Sequence, residues 1–158
     1  MAINAAITLL CLGFLAGFFL VLKFLESPVM SIMTTTDDVT EHESDVRWTH
    51  SQLQAFVQNI GIQALLPVIF VAFVASGYQA ILANFSVVSV IVSGGLFILF
   101  FITCIHAGPA MRDVRDTSAY EADLDSVSSA LFRMVRLHHV MFIAVVPLTL
   151  AQLFLLFV

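Results

Sequence analysis

Arg133 and Arg136 stand in the stretch RMVRLHHVMF, followed at once by the adjacent pair His138 and His139 and then by the apolar run VMFIAVVPLTLAQLFLLFV. Imidazole titrates near neutral pH and is the commonest metal ligand, and guanidinium forks onto carboxylate or phosphate. Such a stretch could therefore supply a general base, a metal ligand or an anion site. Complementary groups occur elsewhere: Glu26 in KFLESPVM, His106 in CIHAGP, and Trp48 and His50 in RWTHSQ. Each also has a plainer reading. Arginines beside an apolar run commonly meet lipid phosphate, and a lone histidine at a helix mouth is commonly a packed, hydrogen-bonded residue. No His-x-x-x-His or Glu-x-x-His spacing is present, so the di-iron bundle pattern is missing. Nor is there a P-loop, a dinucleotide fingerprint or a G-x-S-x-G elbow.

The elements that must position these groups follow from composition. The 158 residues are 60% hydrophobic and only 11% charged, against about 45–50% and about 25% in soluble domains. A single soluble core cannot hide that excess; it has to face lipid. A net charge of −5 with six Lys and Arg leaves no basic surface for nucleic acid. Cys11 and Cys104 lie in apolar runs and read as small buried hydrophobes rather than as a disulfide.

A hydrocarbon layer of about 30 Å takes about 20 apolar residues per helix. Four runs qualify, at about 5–25, 60–82, 87–105 and 140–158, in one domain covering 1–158. The first lacks a basic leader segment and carries its only cation, Lys23, at its far end, so it reads as a span rather than a signal peptide. The expected fold is an all-α membrane protein, a left-handed bundle of four transmembrane helices with both termini on the same side. The polar loops 26–59 and 106–139, with Lys23, then hold all six Lys and Arg, all eleven Asp and Glu and all five His. The positive-inside rule places those loops in the cytoplasm and the termini outside, in the inner or plasma membrane of a bacterium.

Within the first loop, SPVMSIMTTTDDVTEHESD reads as exposed and partly irregular, with Thr36 or Asp37 as an N-cap candidate. Trp48, Leu53, Phe56 and Ile60 then line one side of an amphipathic lead-in to the second span, Trp48 sitting in the interfacial aromatic belt. In the second, His106-Ala-Gly-Pro is expected to end the third helix, and Asp125 or Ser126 to cap the fourth. Leu124, Val127, Leu131, Val135, His138 and Phe142 recur at helical spacing, so His138 faces the bundle and His139 points about 100° away. At 1.5 Å per residue the fourth helix, from about Ser126, is on the order of 50 Å long and overshoots the bilayer. Glu26 is expected to pair with Arg133 or Arg136 across the helix mouths. Gly13, Gly17, Gly94 and Gly95 allow close helix approach.

Three stretches carry a resemblance: GFLAGFFLVLKFLESPVM, CIHAGPAMRDVRD and LFRMVRLHHVMF. Together they resemble a family of small four-span membrane proteins that includes the fungal anthrone oxygenases. The resemblance implies a site at the cytoplasmic mouth for a flat apolar substrate, a hydroxylated polycyclic aromatic or a quinol. There His138 would act as base, Glu26 or His106 as its partner, Trp48 as a stacking wall beside Arg133 and Arg136, and O2 would react without a cofactor. The lack of a sharp catalytic motif puts another reading first: an accessory or structural subunit of a larger membrane complex, contacting lipid and either other subunits or copies of itself. A third reading is a membrane anchor holding haem or a metal between His106 and His138.

Overall fold

The computed structural model describes residues 2–34, 39–59 and 61–157, and all regular structure among them is helical. The candidate caps Thr36 and Asp37, and the stripe residue Ile60, lie outside the described residues. Seven α-helices follow in order: α1 (Ala2–Leu25), α2 (Ser27–Thr34), α3 (Glu43–Asn59), α4 (Gly61–Leu82), α5 (Val87–Ile102), α6 (Gly108–Asp116) and α7 (Leu124–Phe157). A short 3-10 turn, Val39–His42, precedes α3, and one wide π-type turn, Thr103–Ala107, joins α5 to α6.

Four stretches are long and apolar enough to cross a membrane: Ile3–Leu25, Ala64–Leu82, Val87–Asp116 and Leu124–Leu156. Around the spans Leu10, Phe14, Val21, Phe70, Ile98, Ile143 and Leu150 point outward, while Leu12, Leu15, Ile69, Leu96 and Val145 pack inside. An apolar exterior over an equally apolar interior is what lipid as solvent demands. In the bundle α1 packs on α4 and α7, and α5 packs on the same two. Contacts of residue 5 with residue 152, and of residue 26 with residue 138, make α1 and α7 antiparallel.

Three local features depart from the sequence reading, each for a physical reason. SPVMSIMT forms α2 rather than irregular chain, because Val29 and Ile32 recur on one buried face. Pro109 does not end the third helix. A proline cannot donate to the carbonyl four residues back, and widening the preceding turn to π spacing lets the helix run on to Asp116. The cap of α7 is Asp123, neither Asp125 nor Ser126: its carboxylate accepts from the Ser126 backbone N–H at 2.8 Å and from the Ser126 hydroxyl at 2.9 Å.

Of the glycines expected to bring helices together, Gly95 alone does so, a Cβ there falling 2.5 Å from Leu148 on α7. Gly13, Gly17 and Gly94 have no such neighbour. Cys11 is half-buried and Cys104 faces outward, so neither thiol is a core residue. The α4–α5 connection is closed by Asn84 and Phe85, both with positive φ, and the Phe85 N–H reaches back to the Ala80 carbonyl at 2.8 Å, as in a Schellman closure.

Above one end of the spans α2, α3 and α6 form a cap over α7. Arg47 Nη1 donates to the carbonyls of Ala119 (2.7 Å) and Ala122 (3.1 Å), and its Nε donates to Glu43 at 2.6 Å. Gln54 donates to the carbonyls of Arg115 and Thr117. These bonds fasten α3 across the α6–α7 connection. The face of α3 turned inward carries Val46, Thr49, His50, Leu53 and Val57.

Candidate functional site

Glu26 is brought inward by a break in the helix. Pro28 has no N–H to offer the Phe24 carbonyl, and the Ser27 hydroxyl donates to that carbonyl instead, at 2.9 Å. The chain turns at Glu26, whose N–H still bonds the Leu22 carbonyl while its own carbonyl accepts from Val29 and Met30. This hinge between α1 and α2 leaves the carboxylate only 2% exposed.

Across from it, the inward stripe of α7 carries His138, 7% exposed, in line with buried Leu131 and Val135. His138 Nδ1 and Glu26 Oε1 form a buried hydrogen bond, the ring N–H donating to the carboxylate. A carboxylate on Nδ1 fixes the tautomer and the ring plane and makes the second nitrogen, Nε2, the basic one. Orienting carboxylates act on histidine in the same way in hydrolases and metal sites. Phe19 packs beside the imidazole with ring centroids 6.1 Å apart.

The pair borders a narrow space between α1, α2 and α7 with no room for a water molecule, walled by Lys23, Met30, His139 and Phe142. On the other side of Lys23, Met30 and Phe142 opens a cavity of about 400 Å³, lined also by Leu20, Phe24 and Ser27. Three side chains thus separate the dyad from an apolar cleft on the bundle's flank. Lys23 Nζ rests 5.0 Å from the centroid of the Phe142 ring, a cation–π contact. Lys23 and Met30 are the long, flexible members of this wall.

The remaining expected site residues fall elsewhere. Arg133 pairs with Asp113 on α6, and Arg136 faces outward with no ion pair among the described residues. The expected pairing of Glu26 with an arginine is therefore corrected: histidine occupies the inward position, and both arginines lie on the outer face of α7. His106 is exposed and lines a different cavity, with Arg133, between α6 and α7. The structure does not bring His106 and His138 together as axial ligands, and among the described residues no three His, Cys, Asp or Glu side chains gather to hold a metal. Trp48 is 47% exposed and borders neither space beside the dyad, because Val46, Thr49 and His50 take the inward face of α3. His139, expected to reach headgroups or water, is only partly exposed and its Nδ1 is buried without a partner.

Two buried features escaped the sequence reading. His50 is fully buried, neither ring nitrogen has a hydrogen-bond partner among the described residues, and burial pushes its imidazole below the ordinary value of 6.5. At the opposite end of the bundle Gln152 Nε2 donates to the Ala5 carbonyl (3.1 Å) and to Gln79 Oε1 (3.0 Å). The signal for the dyad's surroundings was present: Lys23, Glu26 and Met30 follow one another at helical three- and four-residue steps.

Comparison with protein-family models, with curated proteins and with solved structures finds no match to this chain.

Proposed function

We propose that the Glu26–His138 pair is the general base of a membrane enzyme acting on a flat, lipophilic carbon or oxygen acid that enters through the cleft between α1 and α7. The observation that carries this reading is the buried carboxylate on His138 Nδ1, one thin wall away from a cavity of about 400 Å³. A structural histidine needs no adjoining cavity. A base does.

Three parts of the cleft divide the work. Leu20, Phe24 and Phe142 supply apolar surface for a ring system dissolved in the bilayer. His138 takes the acidic proton through Nε2, and Glu26 stabilises the imidazolium that forms. Among the described residues Lys23 is the only cation on the cleft, placed to meet oxyanion character as it develops on a phenol or enol oxygen. With an anthrone-type methylene, proton loss to His138 gives a carbanion that adds O2. The peroxide anion recovers the proton from His138, and loss of water from the hydroperoxide leaves a ketone. O2 is the only oxidant required, and the resemblance noted above points to the same reaction class.

The test is oxygen uptake and quinone formation by the detergent-purified protein supplied with a hydroxylated anthrone. His138→Ala should slow turnover by about 10²–10⁴-fold, the range for a general base. His139→Ala should leave it within a few-fold of the wild type. No turnover above buffer by the wild type, or an unchanged rate in His138→Ala, sinks the reading. Loss of stability alone in His138→Ala, with other membrane subunits co-purifying, would establish the accessory-subunit reading in its place.

A further inference from the structure

The seam between α6 and α7 is built from residues that play no part in the dyad. Next to the π-type turn lies a cavity of about 510 Å³ lined by Ile102, His106, Pro109, Leu137, Val140 and Arg133. Farther from the spans, the same seam opens into a polar trough of about 520 Å³ that shares Arg133 and includes Arg112, Asp113, Asp116 and Asp125. Because α6 and α7 run antiparallel here, residue numbers order the seam by depth. Apolar side chains come first, at the end of the long apolar runs. His106 and Arg133 follow. The carboxylates of Asp116 and Asp125 come last.

That order mirrors a phospholipid. An acyl chain fits against Ile102, Leu137 and Val140, and a phosphate meets Arg133 and His106. Arg133 spends one N–H on Asp113 and keeps the rest of its five donors for an anion. Asp116 sits about one helical turn, roughly 4.5 Å, beyond Asp113 along α6. That is the step an ethanolamine bridge spans between its phosphate and its ammonium. A primary ammonium offers three N–H donors to carboxylates. A quaternary choline offers none and is held by aromatic cages, and among the described residues no aromatic side chain lines either part of the seam. Arg115 Nε already donates to Asp116 Oδ1 at 2.9 Å, and Arg112 lines the trough. A primary ammonium therefore meets Asp125 and the second Asp116 oxygen, which an anionic glycerol headgroup would leave without a cation.

We infer that the α6–α7 seam binds a diacyl phospholipid with a phosphoethanolamine headgroup, its phosphate on Arg133 and His106 and its ammonium on Asp116 and Asp125. The residues concerned lie on the outer face of α7, on α6 and in the π-type turn before it, so their substitution leaves Glu26, His138 and the buried core in place.

Native mass spectrometry of the full chain, with phosphatidylethanolamine, phosphatidylcholine or phosphatidylglycerol of identical acyl chains added to detergent, tests it. The ethanolamine lipid should bind about tenfold more tightly than either competitor, the ratio expected of one charge-assisted hydrogen bond. Asp116→Asn combined with Asp125→Asn should remove the preference for ethanolamine and raise binding of the glycerol lipid. Arg133→Gln should weaken both lipids while leaving the thermal melt near that of the wild type. Equal binding of the three lipids, or a preference unchanged by the double asparagine variant, overturns the inference. So does competition by free glycerophosphoethanolamine as strong as that by the lipid, because the apolar cavity would then contribute nothing.

Discussion

The two ends of the bundle solve the same problem with different chemistry. At one end Gln152 ties α7 to α1 and α4 through neutral amides, under a short turn and with no charged side chain. At the other, Glu26 and His138 tie α1 to α7 through an ionisable pair, beneath a cap of three helices. Amides suffice to hold helices in register, as the far end shows. A buried carboxylate and imidazole cost more desolvation than amides for the same fastening, and this pair lies one wall of side chains from a cavity of about 400 Å³. The difference separates a clasp from the proposed base.

The sharpest way to break that comparison is a double-mutant cycle at the cap end. Glu26→Gln and His138→Gln should each destabilise the protein by about 3–5 kcal/mol if each leaves a buried partner unpaired. The double variant should cost clearly less than their sum, with a coupling of about 1–3 kcal/mol. Detergent unfolding curves would measure it, and a coupling near zero would reduce the dyad to two independent side chains.

A second test asks whether pH acts on one end only. Burial holds His50 below its ordinary value, so the unfolded chain binds a proton there that the folded chain resists. Stability contributed by neutral His50 is complete above pH 6.5 and is lost as pH falls below it, by at most about 1.4 kcal/mol per pH unit for one proton. Melting temperature should drop in that window, and His50→Leu should flatten the slope. A wild-type melt independent of pH from 7 to 5 would contradict the burial of His50 in the cap.

The smallest effect is expected at the far end. Gln152→Leu removes two interhelical hydrogen bonds worth about 1 kcal/mol together in a membrane setting, and turnover at the cap end should be unaltered. A larger loss of turnover than of stability would show that the amide clasp also shapes the cleft.

Much of this contrast was visible in the residues. The four apolar runs announced four spans, and the stripe Leu131, Val135, His138 turned the correct histidine inward. What periodicity could not supply was pairing. Helical spacing tells which face of α7 looks in but not what it meets, and Glu26 meets His138 across 112 positions of sequence. Opposite formal charge made Arg133 and Arg136 the obvious partners, yet Asp113 on the neighbouring helix claims one and the outer face keeps both. Pro109 misled for a related reason: the rule that proline ends a helix assumes the normal register, and the π-type turn changes the register. Trp48 was grouped with Leu53 and Phe56 on one side of the lead-in, while the buried face of α3 is Val46, Thr49, His50, Leu53 and Val57, with Trp48 outside it. His50 went unread because nothing in its neighbours marks it as buried.

The long reach of the Glu26–His138 bond also bears on how the molecule is made. Glu26 follows α1 and His138 lies on α7, so the carboxylate waits for its partner through the synthesis of every segment between them. Long-range contacts form late because closing the intervening chain carries an entropic cost. Until residue 138 has been made the Glu26 carboxylate lacks the imidazole it is buried against, so burying it is coupled to the packing of α7 on α1.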